Sequence, residues 1–85
     1  MEKYIGFAIK SNSVIIGIDN ILKSNKKIYV VIMDKNLAQN SKYKITNFCE
    51  QKEIRVVETD NLEDIVYKTG VKAIAITNEN LANQI

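Results

Sequence analysis

Ile28-Tyr29-Val30-Val31-Ile32-Met33 is an unbroken apolar run of six residues. Such a run is expected of a strand covered on both faces, as in the parallel sheet of an α/β protein. It therefore reads as the central strand, and the rest of the chain is read outward from it. On its N-terminal side, Tyr4 to Asn12 places Tyr4, Ile5, Ala8 and Ile9 at helical spacing. Val14-Ile15-Ile16, closed by Gly17, suits a brief strand. A short second helix follows from Ile18, with Ile18, Ile21 and Leu22 on one face, and is expected to finish near Ser24-Asn25 with Asn25 in the left-handed conformation.

On the C-terminal side, Asp34 to Asn40 is polar and reads as a loop. It leads to a third helix from Ser41 to about Glu53, with Ile45, Phe48, Cys49 and Lys52 on one stripe and the lysine stem snorkelling at its edge. Ile54 to Glu58 reads as a strand, and Asp60-Asn61-Leu62-Glu63 has the D-x-x-E shape of a capping box. The helix it would open turns Leu62, Ile65 and Val66 inward, with Gly70 just past its end. Ala73 to Thr77 is a further strand, and Thr77 or Asn78 caps a last turn carrying Leu81, Ala82 and Ile85. Strands alternating with helices predict a single α/β domain: a three-layer α-β-α sandwich around a small mixed sheet of about four strands.

The composition agrees. The sequence has 85 residues, 46% hydrophobic and 26% charged, which is the balance of a folded globule rather than a disordered tail. A domain of this size buries only about 60 to 65% of the surface its unfolded chain exposes, so its stability margin is thin. No apolar run approaches the ~18 to 20 residues of a membrane helix. The single cysteine cannot form an internal disulfide, and Met1 is followed by Glu2-Lys3 rather than by a secretory signal. The expected compartment is the cytoplasm.

Catalytic signatures are sparse. The sequence contains no histidine, the commonest general base. Cys49, on the inward stripe of a helix, reads as a structural thiol, and nitrogen–sulfur metal ligation has no ligand set. Glu58, Asp60, Glu63 and Asp64 cluster where a helix begins, and the helix dipole accounts for acids there. None of the glycine-rich nucleotide or nucleophile-elbow motifs occurs. The expectation is a protein that is not an enzyme and uses no cofactor, metal or small-molecule substrate.

The charge distribution points elsewhere. Net charge is only +2, yet residues 1–44 carry eight lysines against three acids, and residues 45–85 carry four basic residues against seven acids. The basic half is the candidate face for an anionic partner, because phosphate binding depends on local charge more than on the total. Gly17 would allow close backbone approach, and the N–H groups of the helix beginning at Ile18 can meet an anion. Asp19 and Asn20 lie in that first turn, where they either cap the helix or reach base edges. Lys23 is one turn further on, and Lys26 and Lys27 extend the positive surface, with Lys10 on the first helix as a further contact. Capping alone would explain Asp19 and Asn20, but it requires neither Gly17 nor the lysines.

The order IGFAIKSNSVIIG, GIDNILK, KKIYVVIMDKN, NSKYKITNFCEQKEIRVVET and GVKAIAIT resembles the large-subunit ribosomal protein "seven-Ae / thirty-e" superfamily, in particular its bacterial YlxQ-like branch of short, stand-alone members. The resemblance covers nearly the whole chain. It implies binding to kink-turn RNA through a G-x-N-E-x-x-K element, which reads here Gly17-Ile18-Asp19-Asn20-Ile21-Leu22-Lys23. By that resemblance Gly17 admits the RNA backbone, Asn20 and Asp19 face the sheared guanine–adenine pairs, and Lys23 meets phosphate or a guanine edge. Two positions depart from the element, because the asparagine is Asp19 and the glutamate is Asn20. An ionised Asp accepts hydrogen bonds but donates none, so it does not reproduce both sides of an asparagine's contact with a base. The resemblance further assigns the loop Gly70-Val71-Lys72-Ala73 to an extruded base, with Val71 as apolar surface and Lys72 on a phosphate; a helix end and strand entry is the plainer reading of Val71.

The expected function is thus a non-catalytic, monomeric, structure-specific RNA-binding protein, ribosomal or ribosome-associated, with no membrane partner. The alternative is a protein-interaction module of the same fold that has lost specific RNA recognition.

Overall fold

A computed structural model describes residues 2–85. Its elements run α1 (Glu2–Lys10), β1 (Val14–Ile16), α2 (Ile18–Lys23), β2 (Val30–Asp34), α3 (Gln39–Lys52), β3 (Arg55–Thr59), α4 (Leu62–Val66), β4 (Ala73–Ile76) and α5 (Glu79–Asn83). The four strands form one sheet in the order β1-β4-β2-β3. β2 pairs with β3 in parallel and with β4 antiparallel, and β4 pairs antiparallel with β1. The sheet is therefore mixed, and β2 is one of two internal strands. Every residue of β2 is buried, as its apolar run predicts, because helices cover both faces whichever way its neighbours point.

Alternate residues of the sheet feed two cores. Val30, Ile32, Ile74 and Ile76 pack with Ile5 and Ala8 of α1, Leu62 and Val66 of α4 and Ala82 of α5. Val31, Met33, Ala73 and Ala75 pack with Ile21 of α2 and Ile45 and Cys49 of α3. This is the three-layer α-β-α sandwich: α1, α4 and α5 on one side, α2 and α3 on the other. Small residues alternate with large ones along β4, and the alanines lie on the α2/α3 side.

Four local expectations are corrected. The first helix occupies Glu2–Lys10 rather than Tyr4 to Asn12, and Asn12 has a positive φ of 57° after the helix has closed. The third helix opens at Gln39, two residues before Ser41, with the Lys42 N–H donating to the Ala38 carbonyl at 2.9 Å. Its polar, exposed first residues give no apolar period by which a start could be read. The second helix ends not on a left-handed Asn25 but on an extended Ser24 (φ −67°, ψ 140°), because the chain must turn straight towards β2. Asp60-Asn61-Leu62-Glu63 forms no capping box. Asn61 is left-handed (φ 54°) and caps nothing with its side chain, and α4 ends at Tyr67, well before Gly70.

The cap of α4 comes from β2, 28 residues earlier in the chain. Asp34, at the end of β2 and only 1% exposed, accepts the Asn36 N–H on Oδ1 at 2.8 Å and the Leu62 N–H on Oδ2 at 2.9 Å. The Asn36 N–H holds its carboxyl below the ordinary carboxylate range; burial opposes this, and the Leu62 N–H and the Lys72 and Lys42 ammonium groups add to it. At α5 the local reading holds: Asn78 accepts the Leu81 N–H at 3.0 Å.

Candidate nucleic-acid interface

The pairing brings the C-terminal ends of β1, β2 and β3 to the same end of the sheet as the start of β4. There the chain leaves β1 through Gly17, whose φ of 96° and ψ of 146° belong to a region that is essentially glycine-only. Its N–H donates to the Ala73 carbonyl and its carbonyl accepts the Ile21 N–H, both at 3.0 Å. One glycine thus ties the first turn of α2 to the entry of β4. Gly17 and Ala73, 56 positions apart, are thereby joined at this end of the sheet, with the Gly70–Lys72 loop leading into the joined residue.

Asp19 and Lys23 are exposed on α2. Asn20 is exposed as well, and one of its two amide protons is donated to the Ile16 carbonyl at 2.9 Å, which leaves the side-chain oxygen and the second N–H for a partner. Lys72 reaches Glu63 of α4 at 2.7 Å. Each holds the other charged: the Lys72 ammonium, then the Gly70 N–H, lower the Glu63 pKa, and the Glu63 carboxylate raises that of Lys72. A phosphate reaching Lys72 must therefore compete with Glu63.

The structure does not gather the remaining expected contacts. Val71 is 5% exposed and packs in the core beside Leu62, Val66 and Ile74, so it supplies no apolar surface to a base. Val71 precedes β4 and turns into the core that α1, α4 and α5 cover. Lys26 and Lys27 follow α2 into the connector before β2, at the opposite end of the sheet, where the Tyr29 N–H donates to the Ile76 carbonyl. Lys10 lies on α1, in the other helical layer.

Three of the four acids that cluster in sequence face lysines. Glu58 faces Lys42 at 3.4 Å, Asp60 faces Lys35 at 3.8 Å, and Glu63 faces Lys72. Asp34, which accepts two backbone N–H groups, lies outside that acidic cluster in the sequence. Its signal is an Asp at the end of an apolar strand with its carboxylate on the N–H two residues on, the Asx-turn pattern.

Cys49 is 1% exposed, and burial pushes its thiol up to about 11 from 9.0. At neutral pH this leaves roughly a hundredfold less thiolate than a free cysteine carries. Alkylation by iodoacetamide is accordingly expected to be at least about a hundredfold slower in the native protein than in urea; comparable rates would place the thiol outside the core.

The sequence matches no family model and no curated protein. Among solved structures, the chain is similar to a protein with unknown function from Bacillus halodurans, with a TM-score of 0.90 and 18% identity over 98% of this chain and 89% of that one. The likeness shows the fold. Among the described residues, no helix is long and apolar enough to cross a membrane.

Proposed function

We propose that this chain is a non-catalytic, cytoplasmic, structure-specific RNA-binding protein that holds a sharply bent, kink-turn-like RNA, in the ribosome or associated with it. The observation that carries the reading is the Gly17–Ala73 hydrogen bond. It sets the start of the Gly17–Lys23 segment beside the strand that the Gly70–Lys72 loop enters, and these are the two segments that the sequence resemblance assigns to RNA. The contact set is Gly17, Asp19, Asn20, Lys23 and Lys72, without Val71, Lys10, Lys26 or Lys27. Recognition of this kind depends on RNA shape and unstacked bases.

Loss of Lys23 tests it. Lys23→Ala is expected to weaken binding of a kink-turn RNA by about 1.5 kcal/mol, roughly tenfold, if one charge-assisted phosphate contact is lost. The slope of log K against log salt should fall in magnitude by about 0.7 to 0.9. Unchanged affinity and slope would remove Lys23 from the interface.

A second reading is favoured by two observations, the use of one Asn20 amide proton on Ile16 and the burial of Val71. On it, the same edge docks a protein. Equal binding of kinked and straight duplex RNA at moderate salt would select that reading.

A further inference from the structure

Lys26 and Lys27, which the RNA site does not absorb, border a groove of about 460 Å³ at the opposite end of the sheet. The groove lies between the α2–β2 connector and the last turn of α3. Its floor is apolar: Ile28 is 6% exposed, and Phe48 and Ile54 are half-buried. Its rim is Lys26, Lys27 and Lys52, all exposed. The three ion pairs among the described residues involve Lys35, Lys42 and Lys72 and leave these three lysines out.

An apolar floor under three ammonium groups fits a ligand with an apolar anchor flanked by negative charge. A single-stranded nucleic acid would supply the charge and would anchor itself by stacking bases on aromatic faces. The one aromatic ring of the groove, Phe48, already carries a lysine, with Lys52 Nζ 5.5 Å from its centroid. What remains for an anchor is aliphatic, namely Ile28 and Ile54.

We infer that this groove is a docking site for an acidic peptide segment of a partner protein, with one large apolar side chain seated on Ile28 and Ile54 and flanking carboxylates on Lys26, Lys27 and Lys52. The site is separate from the RNA edge and does not depend on the RNA reading.

The test is a nuclear magnetic resonance titration of the whole chain with an acetylated, amidated hexapeptide EDLFDE, alongside the equally charged EDSGDE. Saturable amide shifts confined to residues 24–28 and 48–54 are expected, with EDSGDE at least about tenfold weaker because it lacks the anchor. Lys26→Glu combined with Lys27→Glu and Lys52→Glu should weaken EDLFDE by roughly tenfold while leaving the other amide positions unmoved. Asp19→Ala, in the first turn of α2, should leave peptide binding unchanged, so that failure of this site and failure of the RNA site are told apart. Absence of saturable shifts, equal binding of the two peptides, or tighter occupation of the same residues by oligouridylate would each overturn the assignment.

Discussion

Asp34→Ala is expected to destabilise the protein by about 3 to 5 kcal/mol and to lower Tm by some 15 °C or more. The estimate rests on two bonds. Each N–H to a carboxylate is worth about 1.5 to 3 kcal/mol, and the Leu62 N–H that loses its acceptor lies in the buried first turn of α4. In a domain whose total stability is about 5 to 15 kcal/mol, with the lower end apt for this size, such a loss leaves little margin. Asp34→Asn separates the two contributions. Its oxygen still accepts one N–H while its amide faces the other N–H, so an intermediate loss is expected. The pH dependence has a definite sign. The Asp34 pKa is lowered in the folded state, so its stabilisation is present above the unfolded carboxylate value of about 3.9 and is lost as pH falls through the folded value. The gap between the native chain and Asp34→Ala, followed by circular dichroism melts, should therefore be widest at neutral pH and close in acid. A pH-independent gap, or a loss below about 1 kcal/mol, would mean that the carboxylate is not the cap of α4.

That bond also marks where local reading of the sequence stops. The apolar run before Asp34 declares a buried strand because burial on both faces leaves no polar position, and β2 is buried throughout. Asn78 is legible because its cap lies three residues away, and Cys49 because the stripe that buries it is a helical period. The α4 cap spans 28 residues. Asp60 and Glu63 match a local pattern so well that they hide it, yet a left-handed Asn61 turns the chain out of capping geometry. The candidate interface divides in the same way. Gly17 and the start of α2 are adjacent in sequence and remain together. Lys26 and Lys27 are nearly as close along the chain, but a six-residue helix rises about 9 Å and carries them to the far end of the sheet. The lysines that looked like one patch are two surfaces with different floors.

Gly17→Ala carries the other large effect, and its cause is backbone alone. A Cβ at this position would meet nothing nearer than Asn20 Nδ2 at 3.8 Å, an ordinary contact, so space is not limiting. The φ of 96° with ψ of 146° is what a side chain resists, at about 1 to 3 kcal/mol. A β-branched Val should cost more than Ala, since branching narrows the allowed conformations further. Relief of that strain would rotate the Gly17 peptide groups and loosen the bonds to Ala73 and Ile21, the bonds that hold α2 against the entry of β4. Stability and binding must therefore be measured separately. At a temperature where Gly17→Ala remains fully folded, affinity for a kink-turn RNA is expected to fall by roughly tenfold or more if the RNA backbone passes over this residue and needs both segments in register. If melting shifts as stated while RNA affinity holds, the strained glycine serves the α2–β4 junction only, and the edge it organises is better read as a protein-docking surface.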